Sequence, residues 1–179
     1  MQTYRLVPHP DHRPERISHV EANIVGLDSD WLRLRWQVEG VELLEIPQFA
    51  GKERADGLWE TTCFEVFLRP VGGHAYVELN LSPSERCAAY DFTSYREGMA
   101  ERPFAREPEC AMRLGQHLAI FEAAIPLAEL PQMPCELGLC AVLEEDGWPL
   151  TYWALEHPSG KPDFHHPSCF AARLAPPGT

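Results

Sequence analysis

Several things are scarce in this 179-residue chain, and each scarcity removes a class of function. No apolar run approaches the length needed to cross a bilayer. Positive charge is sparse: 15 lysines and arginines stand against 27 acidic residues, a formal net charge of −12. Nucleic acid and anionic membrane surfaces would repel such a chain, so neither is an expected partner. The N-terminal MQTYRLVPHPDHRPERI places charges and prolines where a signal peptide needs an unbroken apolar stretch, so a cytoplasmic location is expected. None of the six cysteines forms a C-x-x-C pair, which leaves zinc-ribbon and thioredoxin-like readings without support. Phosphate-cradling glycine loops, G-x-S-x-G elbows and H-E-x-x-H helices are also missing.

What is plentiful is punctuation and alternation. Seventeen prolines and 12 glycines fall mainly between short apolar runs, as in many strands joined by turns. Along 31–38, Leu32, Leu34, Trp36 and Val38 alternate with Trp31, Arg33, Arg35 and Gln37. Strands are expected at 18–24, 31–38, 41–46, 61–69, 75–81, 86–92, 109–114, 117–125, 136–144 and 150–157. The alanines and leucines of 120–130 also suit a helix, and 127–130 suits one helical turn after Pro126. The polar stretch 47–57 reads as a loop, and 93–108 as an irregular excursion. The resulting fold class is all-β: a two-sheet antiparallel sandwich of jelly-roll or immunoglobulin type, in one domain over 1–179, with about ten strands and one or two helical turns. Cys63, Cys87, Cys135 and Cys140 lie in strand-like segments, where free thiols pack as small hydrophobes.

The hairpin of 61–69 and 75–81 carries the most chemistry. Thr62, Phe64, Val66 and Leu68 share one face with Ala75, Val77, Leu79 and Leu81. The other face gathers Glu65, Tyr76, Glu78 and Asn80, which paired strands bring within reach of one another. Carboxylates and an amide beside aromatic rings suit a sugar, whose hydroxyls they bind while the rings cover its apolar faces. The same carboxylates suit a glycosidase pair, and a solvated outer face explains them without any ligand. Trp59, just after the polar loop, is placed to wall a pocket. The stretch 153–167 adds Trp153, His157, Lys161, Asp163, His165 and His166. Adjacent histidines on extended chain point to opposite sides, so this cluster is expected to line a cleft and not to hold a metal.

LWETTCFEVFLRP (58–70), YVELNLSP (76–83) and AAYDF (88–92) resemble the central strands of DOMON-like domains, which are related to family 9 carbohydrate-binding modules. LAIFEAAIPLAEL (118–130), CELGLCAVLEEDG (135–147) and PDFHHPSCFAARL (162–174) resemble later segments of that family. The resemblance spans about 15–174 and implies a sandwich with a ligand pocket on one concave sheet. It also implies a strand, and not a helix, over 118–125. A bacterial subset is labelled as similar to the reductase that makes UDP-N-acetylmuramate, but no flavin-binding signature is present here. Relatives that bind haem use Met and His ligands; Met99, Met112, His74 and His117 are available without a distinguishing spacing.

The expectation is therefore a small-ligand-binding module for a sugar, sugar derivative or nucleotide sugar, with no cofactor and no catalytic residue. Its site would comprise Trp59, Glu65, Tyr76, Glu78 and Asn80, with Tyr90, Arg96, Trp153, His157, Lys161 and His165 as further contacts. Lys161 or Arg96 would meet an anionic substituent. The alternatives are a metal- or haem-binding module, and a glycoside hydrolase using Glu65 and Glu78.

Overall fold

Alternating side chains need two surfaces to bury against, and the chain meets that need by folding its strands over one another. The computed structural model describes residues 2–177. It contains twelve antiparallel strands: β1 (Gln2–Pro8), β2 (His19–Leu27), β3 (Trp31–Glu39), β4 (Cys63–Pro70), β5 (Tyr76–Leu81), β6 (Cys87–Phe92), β7 (Ala100–Glu101), β8 (Glu109–Leu114), β9 (Leu118–Pro126), β10 (Cys135–Leu143), β11 (Thr151–Ala154) and β12 (Ala172–Leu174). One layer runs β8-β9-β3-β2-β1, and the other continues β11-β10-β4-β5-β6-β7. The first strand joins them: Leu6 pairs with Val20 of β2, whereas Val7 pairs with Ala154 of β11. The short β12 pairs with the start of β10.

Between the layers lies the main core. From β4 and β5 come Phe64, Val66, Leu68, Val77, Leu79 and Leu81; facing them are Leu32, Leu34, Trp36, Phe121 and Ile125. The Phe64 and Phe121 rings stack 4.2 Å apart, with Trp36 5.4 Å from Phe64. The face assignment read from alternation along β3, β4 and β5 is the observed one. Residues 118–126 are a strand paired on both sides, to β3 and β8, and Leu127–Glu129 makes a 3-10 turn after the Ile125-Pro126 corner.

Two sequence expectations need correction. Residues 41–46 form no strand: Leu44 closes a turn on Val41, and only a single bridge to Glu145 remains. Val41 and Leu44 are buried in the core through that turn, which is why the segment reads as apolar. Conversely β1, β7 and β12 add strands that alternation did not reveal. The N-terminal strand divides its pairing between two layers, so its residues follow no single inside–outside rhythm.

Candidate functional site

The outer face of β4, β5, β6 and β10 is not bathed in solvent. Phe67, Tyr76, Ala88, Tyr90, Phe92, Cys140 and Val142 form a second buried cluster upon it, closed by Phe164 and Phe170 from the C-terminal segment. That segment lies close because β10 carries Gly138 there. A Cβ at this position would sit 3.2 Å from both the Cys169 carbonyl oxygen and the Phe67 Cβ. A flat sheet face thereby becomes the floor of a cleft of about 370 Å³.

Glu65 and Glu78 lie on this floor, flanked by Trp59, Phe92, Val142, Tyr152 and Phe164, with Arg96, Met99, Pro162 and His165 at its rim. Glu65 is 4% and Glu78 5% exposed. Alternation places them: Glu65 stands opposite Asn80, and Glu78 lies two residues from Asn80 on the same face of β5. The Asn80 amide donates to Glu78 Oε1 at 2.9 Å, and its own Oδ1 is buried without a partner. Burial, and the neighbouring Glu78 carboxyl, push the Glu65 carboxyl well above the usual carboxylate range. Burial lifts Glu78 to about 7, opposed by the Asn80 hydrogen bond and the charge of Arg96. Desolvation thus outweighs the Asn80 hydrogen bond at Glu78 and is unopposed at Glu65, and the floor holds protons that exposed glutamates would have lost.

One wall is a hydrogen-bonded chain. Tyr76 sits in β5 with its ring stacked on Phe92 at 4.8 Å. The Arg96 amide donates to the Tyr76 hydroxyl oxygen at 3.2 Å, and that hydroxyl meets His165 Nδ1 at 2.8 Å. If the hydroxyl donates there, Nε2–H faces Glu78 Oε2, 3.6 Å away. Burial and the charge of Arg96 lower His165 to about 4, so its ring is neutral at physiological pH. Arg96 adopts a left-handed backbone (φ 56°), which turns its amide inward while its guanidinium pairs with Asp163 Oδ1 at 2.7 Å. Tyr95 donates its hydroxyl to the other Asp163 oxygen.

Trp59, from the 3-10 turn Leu58–Glu60, contributes another part of the lining, with the 47–57 loop behind it. Trp59 packs edge-on against Tyr90, with ring centroids 6.2 Å apart. The Tyr90 hydroxyl donates to Asp56 Oδ1 at 2.5 Å, and Arg54 pairs with the same carboxylate at 2.6 Å. These bonds hold Asp56 down to about 2 and tie the loop to the sheet.

The structure therefore gathers Trp59, Glu65, Glu78, Arg96 and His165 around the cleft, with Tyr76, Asn80 and Tyr90 supporting them. Three others lie elsewhere. Trp153 points into the main core and donates through its indole N–H to Thr151 Oγ1. His157 bonds the Val7 carbonyl through Nε2, with its ring 5.1 Å from that of His9. Lys161 is exposed on the C-terminal segment and does not line the cleft. Phe92, Val142, Pro162 and Phe164 belong to the lining but were not singled out in the sequence. The signal for Phe92 and Val142 was the outward phase of β6 and β10, which alone does not reveal a cover; Pro162 and Phe164 lie outside any strand and carried no phase signal.

Among the described residues no cluster of three or more His, Cys, Asp or Glu side chains is arranged to hold a metal. The potential haem ligands are dispersed: His74 lies in the β4–β5 turn, Met112 on β8, and His117 pairs with Glu42, leaving Met99 alone at the cleft. No helix among the described residues is long and apolar enough to cross a membrane.

No family model matches the sequence, and no curated protein matches it. Among solved structures, a Bacteroides uniformis protein named as a candidate carbohydrate-binding protein aligns with a TM-score of 0.66 at 15% identity, over 94% of this chain and 83% of its own. A family 9 carbohydrate-binding module from Caldicellulosiruptor kristjanssonii, in complex with glucose, aligns at 0.45 and 15% identity over 79% of this chain and 69% of its own. The cellotriose complex of such a module aligns at 0.47 and 12% identity, over 88% and 75%. The Bacteroides protein shares the fold; scores below 0.5 do not establish as much for the modules.

Proposed function

We propose that the cleft binds a small polyhydroxylated ligand, a sugar or sugar derivative, without transforming it. The observation that carries this reading is the pairing of two opposite chemistries in one concavity. Trp59, Phe92, Tyr152 and Phe164 offer apolar ring surface, while Glu65 and Glu78 rise between them from a nearly dry floor. Sugars present the same combination: apolar C–H faces bordered by hydroxyls that need directed partners. The DOMON-like resemblance of 58–92 points the same way, as does the name of the Bacteroides protein of similar fold.

The hydrolase alternative fits the cleft less well. A glycosidase pair flanks its scissile bond, with one carboxyl ready to ionise. Here both carboxyls lie side by side on adjacent strands and both hold their protons more tightly than usual. An anionic sugar, such as a nucleotide sugar, would require a free cation, but Arg96 is already paired with Asp163.

The test is thermal unfolding with neutral sugars, amino sugars and nucleotide sugars, paired with product analysis. A ligand at about 100 times its dissociation constant adds roughly 2.7 kcal/mol of apparent stability. The expected outcome is stabilisation by a sugar, lost in Trp59→Ala, with the sugar recovered intact. Silence across the panel overturns the reading, and recovery of hydrolysed sugar replaces it with the hydrolase.

A further inference from the structure

The charge inventory of the cleft is lopsided in a way a neutral sugar does not explain. Glu65, although 96% shielded, receives no hydrogen bond from any described residue and opens into the cavity. Glu78 keeps one bond, from Asn80, and a long contact to His165. The groups facing the two carboxyls add no free positive charge. Cys140 stands opposite Glu65 across β4 and β10 and Cys63 two residues before Glu65 on β4, both with thiols held protonated by burial, and Tyr76 and Tyr90 are likewise raised. Arg96 is matched by Asp163, so that pair is neutral as a unit.

We infer that the ligand of this cleft carries an ammonium group, as an aminated sugar or polyol does. This rests on the proposed sugar-binding role and narrows it. An ammonium has three N–H donors and no acceptor, the complement of two carboxyls that share a single hydrogen-bond donor, the Asn80 amide. Aromatic rings around the floor favour a cation at their faces, while they would give an anion nothing. A single positive charge beside the pair favours the loss of one of their protons, so binding expels a proton from the floor. A neutral sugar leaves the protons in place.

Calorimetric titration at about pH 6, in two buffers of different ionisation enthalpy, tests this with four probes: glucosamine, glucose, N-acetylglucosamine and cyclohexylamine. Glucosamine is expected to bind about tenfold or more tightly than glucose or N-acetylglucosamine, since its hydrogen bonds to carboxylates are charge-assisted. It should also release up to about one proton per ligand as the pair ionises. Glu65→Gln keeps the shape of the floor and should reduce both the preference and the proton release, since Glu78 alone remains to ionise. Glu78→Gln is the second variant, should the first fail to fold. Equal affinity for glucose and glucosamine without proton release overturns the ammonium inference and leaves the sugar reading standing. Binding of cyclohexylamine with proton release, while no sugar binds, does the reverse. Failure of all four overturns both.

Discussion

A glutamate held on a dry floor should destabilise the protein once it ionises, and Glu78 allows that effect to be sized. Its carboxyl titrates at about 7 in the folded protein against 4.5 in an exposed chain. The folded state therefore binds more protons than the unfolded state between these values, and stability falls as pH rises through that window. The difference corresponds to about 3 kcal/mol, fully developed above pH 7 and absent below about 4.5. Glu78→Gln keeps an oxygen to accept from the Asn80 amide but has no proton to lose. Without ligand, the variant is expected to match the wild type near pH 4.5 and exceed it by roughly 3 kcal/mol at pH 8. His165 works in the opposite direction in both proteins. Its folded value of about 4, below 6.5, makes the unfolded state the better proton binder, so stability rises with pH between them. Glu65, raised by burial like Glu78, adds to the fall, so wild-type stability should decline between 4.5 and 6.5 and Glu78→Gln should flatten that decline. Urea denaturation at half-unit pH intervals supplies the assay. A difference between the two proteins that does not vary with pH would refute the desolvation argument.

Glu145 offers a test of how the N-terminal loop is fastened. Its carboxylate, almost wholly buried, accepts from the backbone amides of Glu15, Arg16 and Ile17 at 2.9, 2.6 and 3.2 Å. Glu145→Ala orphans these donors and is expected to lower unfolding free energy by about 3 kcal/mol in urea denaturation, with faster amide exchange at 15–17. Gly138→Ala pushes a methyl group against the Phe67 Cβ and the Cys169 carbonyl. A loss of about 1–3 kcal/mol is expected, with faster amide exchange across 163–170 and weakened ligand binding. Unchanged exchange there would show that the C-terminal segment is held independently of its contact with β10.

The residues differ in how openly they announced their places. Period-two alternation sufficed to sort Phe64, Val66 and Leu68 from Glu65 and Phe67, because successive residues of a strand point to opposite faces. It also put Glu65, Glu78 and Asn80 on one side of a hairpin, since pairing fixes register locally. Local rules failed where burial came from distant chain. Val41 and Leu44 read as a strand yet plug the core from a turn, and β1 hides its pairing by serving two layers. Trp153, His157 and Lys161 cluster with His165 in sequence, but the fold sends one into the core, one to the N-terminal strand and one outward. Most consequential is the cover. Alternation assigns Glu78 a phase; only the approach of Phe164 and His165, from a distant segment whose Cys169 carbonyl rests against Gly138, removes the water from above it. That removal is tertiary, and it alone turns a polar strand face into a cleft with retained protons.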